Sequence, residues 1–169
     1  MTLSRSFAPV ADATARVLIL GSMPGVESLR AGEYYAHPRN AFWRIMGDLV
    51  GASLDLPYAA RTRRLRRAGI ALWDVLAACV RKGSLDSAID QRSIIVNDLV
   101  SFFARHRRIS HVFFNGTTAE RCFRVHVQPA LEAGALKLHR LPSTSPAHAA
   151  RSYTEKLHAW RSVLGPLSA

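Results

Sequence analysis

The sequence predicts an α/β fold: a three-layer α/β/α arrangement around a central four-stranded, mostly parallel sheet. Short, uninterrupted apolar runs are typical of strands that are buried on both faces. Segments with apolar residues at helical spacing separate these runs. This strand–helix alternation recurs four times in 169 residues, which indicates a parallel sheet with right-handed crossovers. We expect residues 1–169 to form a single domain.

The first half of the chain contains two predicted strands and two predicted helices. The first apolar run stops at Gly21, and Gly51 and Gly69 end the two helices. A loop through Lys82 and Gly83 is expected after the second strand. The predicted elements are a strand at 17–20, a helix at 42–50, an arginine-rich helix beginning at Pro57 and a strand at 70–75.

The second half continues the same alternation. Its last strand alternates apolar and polar residues, which predicts an edge strand with one covered face. The predicted elements are a helix with Ile95, Leu99, Phe102 and Phe103, a strand at 111–115, a helix with Ala119, Phe123 and Val127, an edge strand at 136–141 and a last helix with Tyr153, Leu157 and Trp160.

The charge of the chain is strongly basic. It carries 23 Lys and Arg residues against 12 Asp and Glu residues, a formal net charge of +11. Such an excess most often reflects a nucleic-acid partner, and a solvated basic surface is the alternative. The arginines between Arg61 and Arg67 cannot all lie on one helix face, so we interpret them mainly as solvated surface.

Cysteine content and apolar runs exclude several classes of protein. Cys79 and Cys122 are too few for a disulfide framework or an iron–sulfur cluster, and no His or Cys spacing suggests a metal site. There is no signal-peptide pattern, and no apolar run reaches about 18 residues. We therefore expect a cytoplasmic monomer (nucleoid-associated if bacterial) that needs no cofactor and no metal.

Each unusual loop in the sequence follows a predicted strand. Parallel sheets bind ligands beyond the carboxyl ends of their strands. These loops are therefore expected at one edge of the sheet, and they cover residues 21–39, 74–86, 115–116 and 142–146.

The first of these loops begins with the segment Gly21-Ser22-Met23-Pro24-Gly25. Its glycines permit a close approach of the backbone to a ligand, and free amides can bind an anion. It lacks the Gly-Lys-Ser/Thr of a Walker-type loop and the spacing of a dinucleotide fingerprint. The loop then continues through aromatic residues and His37-Pro38-Arg39-Asn40 into the first predicted helix.

These segments resemble the uracil-DNA glycosylase superfamily. They are most similar to its hypoxanthine-DNA glycosylase branch, and the mismatch-specific uracil glycosylases are the next relatives. The resemblance implies a uracil-DNA glycosylase-like fold and a monofunctional glycosylase. Its expected substrate is DNA with a flipped deaminated base, hypoxanthine first and uracil second. The matching segments are 21–25, 34–40 with 42–43, 73–76 with 83–86, and 141–147.

The chemistry of base excision requires several groups. The glycosidic carbon is unreachable inside the duplex, so the nucleotide must be extruded. Bond cleavage puts positive character on the sugar and negative charge on the base. A site therefore needs a platform, donors for the base and a group that places water. The resemblance assigns the platform to Tyr35, and such stacking contributes about 1–3 kcal/mol per base. An ordinary core position is the alternative.

The catalytic polar residue implied by the resemblance is Asn40. In the mismatch-type relatives, the water-placing Asn falls where this chain has Met23, and a thioether cannot orient water. The hypoxanthine branch implicates the Asn of the His-Pro-Arg-Asn segment instead. The Asn40 amide could position water or bind the base. It could also cap the following helix, and a side chain at a helix start could do both.

Several other positions are candidates for the site. His37 is a catalytic candidate, as a proton donor or a phosphate contact, and structural hydrogen bonding is the alternative. Ser22, Met23, Asp74 and Asn115 are expected in the base pocket. Asp74 could accept a hydrogen bond from the N–H of hypoxanthine, or it could cap the next segment. Asn115 could line the pocket or belong only to a turn.

The late loop 142–146 resembles the superfamily's second motif, which inserts into the minor groove and holds phosphates. The classical uracil-DNA glycosylase begins this motif with a His that stabilises the leaving base, and this chain has Leu141 there. That stabilisation is therefore missing or comes from elsewhere. The expected DNA contacts are Gly25, Arg39, Ser143, Thr144 and Ser145.

Two other functions account for part of the sequence. A non-catalytic nucleic-acid-binding module of the same fold would explain Met23 and Leu141. A small-molecule enzyme with a phosphate loop would explain segment 21–25. Neither accounts for the segments 37–43 and 142–146 together. No lysine lies in the motif loops to form a Schiff base, so lyase activity is disfavoured.

Overall fold

The computed structural model describes residues 2–168 and contains seven strands and seven α-helices among them. The strands are β1 (Leu3–Arg5), β2 (Val17–Gly21), β3 (Ile70–Asp74), β4 (Leu76–Val80), β5 (Ile95–Val96), β6 (His111–Asn115) and β7 (Lys137–Leu141). The helices are α1 (Val26–Ala31), α2 (Phe42–Val50), α3 (Tyr58–Arg67), α4 (Leu99–Arg105), α5 (Thr117–His126), α6 (Tyr153–Trp160) and α7 (Leu164–Leu167).

The main sheet has the strand order β3-β2-β6-β7, and all its strands are parallel. The chain runs from β2 outward to β3, then back past β2 to β6 and β7. With right-handed crossovers, the helices before β3 lie on one face and α4 and α5 on the other. The predicted α/β class is therefore confirmed. The chain leaves β2 towards one edge of the sheet and later fills the other edge from β6, so the strand order reverses between β2 and β6. Open parallel sheets bind ligands at such a point.

Burial explains why the central strands form where they do. All five residues of β2 are buried, and so are all five of β3, as expected for strands covered on both faces. β7 lies at one edge of the sheet, and its Leu138 and His139 are only half-buried. Asp74 is the exception within this apolar core, because it is a buried acid at the end of β3.

A second, antiparallel sheet with the order β1-β4-β5 was not predicted. The prediction of a loop after residue 75 was wrong for residues 76–80, because these residues form β4. The expectation that Ile95 belongs to a helix was also wrong, because Ile95 lies in β5. The helix begins at Leu99, where the Asp98 carboxylate accepts a hydrogen bond from the Ser101 amide at 3.0 Å. A two-residue strand is too short for periodicity to distinguish it from the first turn of a helix.

Loop 33–40 is anchored to the core through Tyr34. The Trp43 indole donates to the Tyr34 carbonyl at 2.7 Å, and the Tyr34 hydroxyl donates to the Ala8 carbonyl at 2.9 Å. Trp43 and Phe42 are fully buried at the start of α2. The loop is therefore held on both sides of the segment that carries His37 and Asn40. Within residues 2–168, no helix has the length and apolar character needed to cross a bilayer.

Leu18→Ala tests the packing of the central strand. Leu18 is fully buried in β2, so we expect the free energy of unfolding to fall by about 2–5 kcal/mol. Urea denaturation followed by circular dichroism measures this loss. Val125→Ala on α5 is the control, because Val125 is 61% exposed and should change stability by less than about 0.5 kcal/mol. Equal losses in the two variants would contradict the assigned core.

Candidate active site

A cleft of about 400 Å³ opens at the carboxyl edge of the main sheet. The end of β3 and the loops that follow β2, β4, β6 and β7 form its walls, and the lining residues fall within or next to the loops that the sequence predicted. All but one of the predicted site residues line this cleft, and Arg39 is the one that does not. Those that line it are Ser22, Met23, Gly25, Tyr35, His37, Asn40, Asp74, Asn115, Ser143, Thr144 and Ser145.

The floor of the cleft is formed where β2 and β3 end side by side. Their parallel register pairs Gly21 with Asp74, and the Val75 amide donates to the Gly21 carbonyl at 2.9 Å. A Cβ added at Gly21 would lie 2.5 Å from Asp74 Oδ1 and 2.9 Å from Tyr35 Oη. Only glycine leaves this space open, so the first glycine of the loop is required by a close approach.

Asp74 is a buried carboxyl group without a compensating partner. Its side chain is almost wholly buried, and Oδ2 has no hydrogen-bond partner within residues 2–168. Burial, together with repulsion from Asp86, raises the pKa of Asp74 to about 7, and the charge of Arg81 opposes the shift. The neutral acid is therefore a substantial fraction of Asp74 near neutral pH.

Asp86 is a site residue that the sequence analysis did not identify. Its Oδ1 accepts a hydrogen bond from Ser22 Oγ at 2.8 Å and lies 3.7 Å from Arg81 Nη1. Burial raises the pKa of Asp86, and the hydrogen bond from Ser22 and the charge of Arg81 oppose that shift. Arg81 also donates to the Pro24 and Gly83 carbonyls. An acid in a polar loop gives no sequence signal of such a network.

Tyr35 lines the cleft in an unusual backbone conformation. Its φ of 55° lies in the left-handed region, which non-glycine residues seldom adopt. Its ring stacks on Phe42 with a centroid distance of 4.1 Å and an interplanar angle of 28°. One face of the ring is therefore covered by the core. Its hydroxyl is buried with no partner at hydrogen-bond distance among the described residues, and the Asn115 side chain opposes the rise that burial causes in the pKa of Tyr35.

Asn40 and His37 line the same cleft. Asn40 Oδ1 accepts a hydrogen bond from the Phe42 amide at 2.9 Å, so this side chain satisfies the first amide of α2. The formal N-cap residue is Ala41, one residue later than expected. The His37 Nδ1 accepts from the Arg39 amide at 3.1 Å, so the neutral ring carries its proton on Nε2. Asn40 therefore caps the start of α2 and also lines the cleft.

The late loop is attached to the sheet through Asn115. Asn115 Oδ1 accepts from the Thr144 amide and its Nδ2 donates to Thr144 Oγ1, both at 2.9 Å. The Thr144 carbonyl accepts from the Ala41 amide at 3.0 Å, which joins this loop to the start of α2. Thr144 is 1% exposed, so its hydroxyl does not fit the expected phosphate contact. Ser143 and Ser145 lie on the same loop and are partly exposed.

Arg39 lies in a second, adjoining cleft of about 370 Å³. Asn40 lines both clefts. Arg44, Arg151 and Lys156 make the second cleft strongly basic, and the Arg44 guanidinium lies 3.6 Å from the centroid of the Tyr153 ring. The first cleft therefore adjoins a basic surface, which favours polyanions near it.

Two positions are apolar where relatives of the predicted family carry polar residues. Met23 is 7% exposed and Leu141 is 5% exposed, so both pack into the core. Neither can donate a hydrogen bond or hold a charge. Among residues 2–168, no group of three or more His, Cys, Asp or Glu side chains is placed to hold a metal ion.

Comparison with known proteins assigns the family. The family model of the uracil DNA glycosylase superfamily matches residues 8–164. The chain belongs to this superfamily. It is similar to a hypoxanthine DNA glycosylase of Methanosarcina acetivorans, with 35% identity over 86% of this chain and 89% of that protein. It is also similar to a hypoxanthine DNA glycosylase of Methanosarcina barkeri, with 34% identity over 92% of this chain and 94% of the relative.

A solved structure supports the same assignment for this member of the superfamily. The solution NMR structure of a candidate uracil DNA glycosylase from Methanosarcina acetivorans superposes with a TM-score of 0.81. The two chains are 32% identical, and the alignment covers 99% of this chain and 100% of that one. The fold expected from the resemblance is therefore confirmed.

The burial of Asp74 predicts a specific dependence of stability on pH. Because the pKa of Asp74 rises from 3.8 to about 7 on folding, the folded state binds more protons between these values. The free energy of unfolding should therefore fall as pH rises from about 4 to about 7. Asp74→Asn should make this fall smaller, as measured by urea denaturation across that range. Asp55→Asn, an exposed carboxyl in the same chain, should leave the profile unchanged.

Proposed function

We propose that this superfamily member hydrolyses the N-glycosidic bond of a deaminated base in DNA, with hypoxanthine as the preferred base and uracil as the second. The named relatives support hypoxanthine. The observation that carries the proposal is the convergence of an aromatic ring, an amide and an unpaired carboxyl in one cleft: Tyr35, Asn40 and Asp74. The volume of about 400 Å³ is within the range of small-molecule sites.

Each group has a function that follows from its position. The ring of Tyr35 has one face against Phe42, so its other face is the one that could stack on an extruded base. The Asn40 oxygen is used by the Phe42 amide, which leaves its Nδ2 to bind water or the base. Asp74 supplies polar atoms at the floor, beside the space above Gly21.

DNA binding would use the rim of the cleft and the basic surface beside it. Gly25, Ser143 and Ser145 lie at the rim and are suited to contact the phosphodiester backbone. Arg39 belongs to the adjoining basic cleft, where it would contact a flanking phosphate. The formal charge of +11 favours association with DNA at low salt.

A second candidate is a non-catalytic DNA-binding module of the same fold. The observation that favours it is the apolar character of Met23 and Leu141, at the positions where the mismatch-type and the classical uracil enzymes, respectively, carry polar groups. This candidate gives no reason for an unpaired buried carboxyl at Asp74, because leaving such a group unsatisfied is costly.

A substrate panel distinguishes the two candidates. Duplexes with a single hypoxanthine, uracil or xanthine are incubated with the protein, and abasic sites are then cleaved with alkali. We expect strand scission at hypoxanthine to be fastest and at uracil slower. Binding of all three duplexes without scission would support the non-catalytic module and contradict glycosylase activity.

The two roles of Asn40 can be separated by choosing the substitution. Asn40→Ser keeps a side-chain oxygen that can accept from the Phe42 amide, whereas Asn40→Ala removes both the cap and the amide. If the amide is catalytic, both variants should lose about 10²–10³-fold in single-turnover excision rate, by analogy with removal of one transition-state donor.

Thermal unfolding completes this test. The Asn40→Ser variant should stay close to the parent protein in stability, while Asn40→Ala should lose about 0.5–2 kcal/mol with the cap. Near-normal excision by Asn40→Ser would show that Asn40 acts only as a cap.

A further inference from the structure

The site has no hydrogen-bond donor at position 141 for the departing base. Negative charge develops on the base as the glycosidic bond breaks, and a hydrogen-bond donor aimed at that charge accelerates the reaction. Position 141 cannot provide the donor, because it holds a leucine that is 5% exposed. A different donor must reach the base if the proposed function holds.

Two buried polar groups at the floor of the cleft have no partner. Asp74 Oδ2 and Tyr35 Oη are both inaccessible to solvent and form no hydrogen bond with any residue between 2 and 168. Asp74 Oδ1, the other oxygen of the same carboxyl group, and Tyr35 Oη lie against the space above Gly21, at 2.5 Å and 2.9 Å from an added Cβ. Buried polar groups in native proteins are nearly always paired, so an unpaired couple in a cleft indicates a ligand that pairs them.

We propose that Asp74 acts as a neutral carboxylic acid that hydrogen-bonds the polar edge of the extruded base and stabilises its negative charge as it departs. This inference rests on the proposed glycosylase function. It makes Asp74 a donor in place of the missing donor at Leu141, where the sequence suggested only an acceptor. Tyr35 Oη lies beside it at the floor of the cleft.

A carboxylic acid fits the bases concerned. Its O–H donates and its C=O accepts, which matches the 6-oxo group and N1–H of hypoxanthine, or the 4-oxo group and N3–H of uracil. During the reaction the bond from C1′ to the base breaks, and its electron pair stays on the base. Water adds its oxygen to C1′, and the proton it releases neutralises the base. Asp74 keeps its proton and strengthens its hydrogen bond as the charge grows.

The surroundings of Asp74 favour the neutral form. Arg81 is the cation that acts on it, yet Arg81 is bound to Asp86 and to the Pro24 and Gly83 carbonyls, and it forms no hydrogen bond with Asp74. The anion that acts on Asp74 is the carboxylate of Asp86, and its negative charge disfavours ionisation of Asp74. The other titratable groups that interact with Asp74 are phenols, which are neutral near pH 7: Tyr34, Tyr35 and Tyr58.

The pH dependence of excision tests this role. Single-turnover excision of hypoxanthine is measured from pH 5.5 to 9 for the parent protein, Asp74→Asn, Asp74→Ala and the exposed control Asp55→Asn. The parent rate should fall above about pH 7, approaching tenfold per pH unit, as the donor ionises. Asp74→Asn retains a donor and an acceptor without titrating, so its rate should remain within about tenfold of the parent at pH 6 and lose the alkaline fall.

The leaving base provides a second, independent readout. Asp74→Ala should excise uracil about 100-fold more slowly than the parent, because it lacks the donor. 5-Fluorouracil is a more acidic base and departs more easily as an anion, so the loss in Asp74→Ala should be smaller with it. A merely structural role for Asp74 would slow both bases equally.

The outcomes separate the two proposals. If the parent protein excises no base, the glycosylase function and this inference both fail. If it excises hypoxanthine, but Asp74→Asn keeps the alkaline fall or Asp74→Ala slows both uracil bases equally, only the role of Asp74 is overturned. Thermal melts that match the parent show that the Asn variant is folded.

Discussion

The parallel pairing of β2 with β3 and β6 is the constraint on which the site depends. It brings Gly21 level with Asp74, and places Asn115 at the same edge of the sheet. From that edge, Asn115 holds the late loop through two hydrogen bonds to Thr144, and Thr144 in turn holds the start of α2. Residues more than 100 positions apart in the chain therefore form one cleft. A shift in strand register would separate all of them at once.

The second constraint is the charge at the floor of this cleft. Two acids, Asp74 and Asp86, lie near one arginine, and the geometry divides them. Asp86 takes the ion pair with Arg81 and the hydrogen bond from Ser22, whereas Asp74 stays in the apolar end of β3. Environments that separate the pKa values of neighbouring acids commonly assign them different roles. Here one acid organises the loop and the other faces the space above Gly21.

The apolar residues at Met23 and Leu141 have a consistent explanation within the superfamily. Both lie in the core, so these positions contribute packing instead of polar chemistry. The polar groups of the cleft come from other elements: Asn40 at the start of α2 and Asp74 at the end of β3. A fold can retain its ligand cleft while the groups that act in it move between loops, since every loop at the carboxyl edge reaches the same space.

The sequence by itself determined the α/β class, the four strands of the main sheet and the loops that form the cleft, because buried strands and amphipathic helices leave periodic patterns. The motif positions at Tyr35, Asn40 and Asp74 were also predictable from their resemblance to the superfamily. Only the tertiary structure decided that β4 and β5 form a second sheet, that Thr144 is buried and that Arg39 faces a separate basic cleft. It also decided that Asp86 joins the site while Asp74 is left unpaired. The physical reason is that burial and hydrogen bonding depend on distances between residues far apart in the chain, which local patterns do not encode.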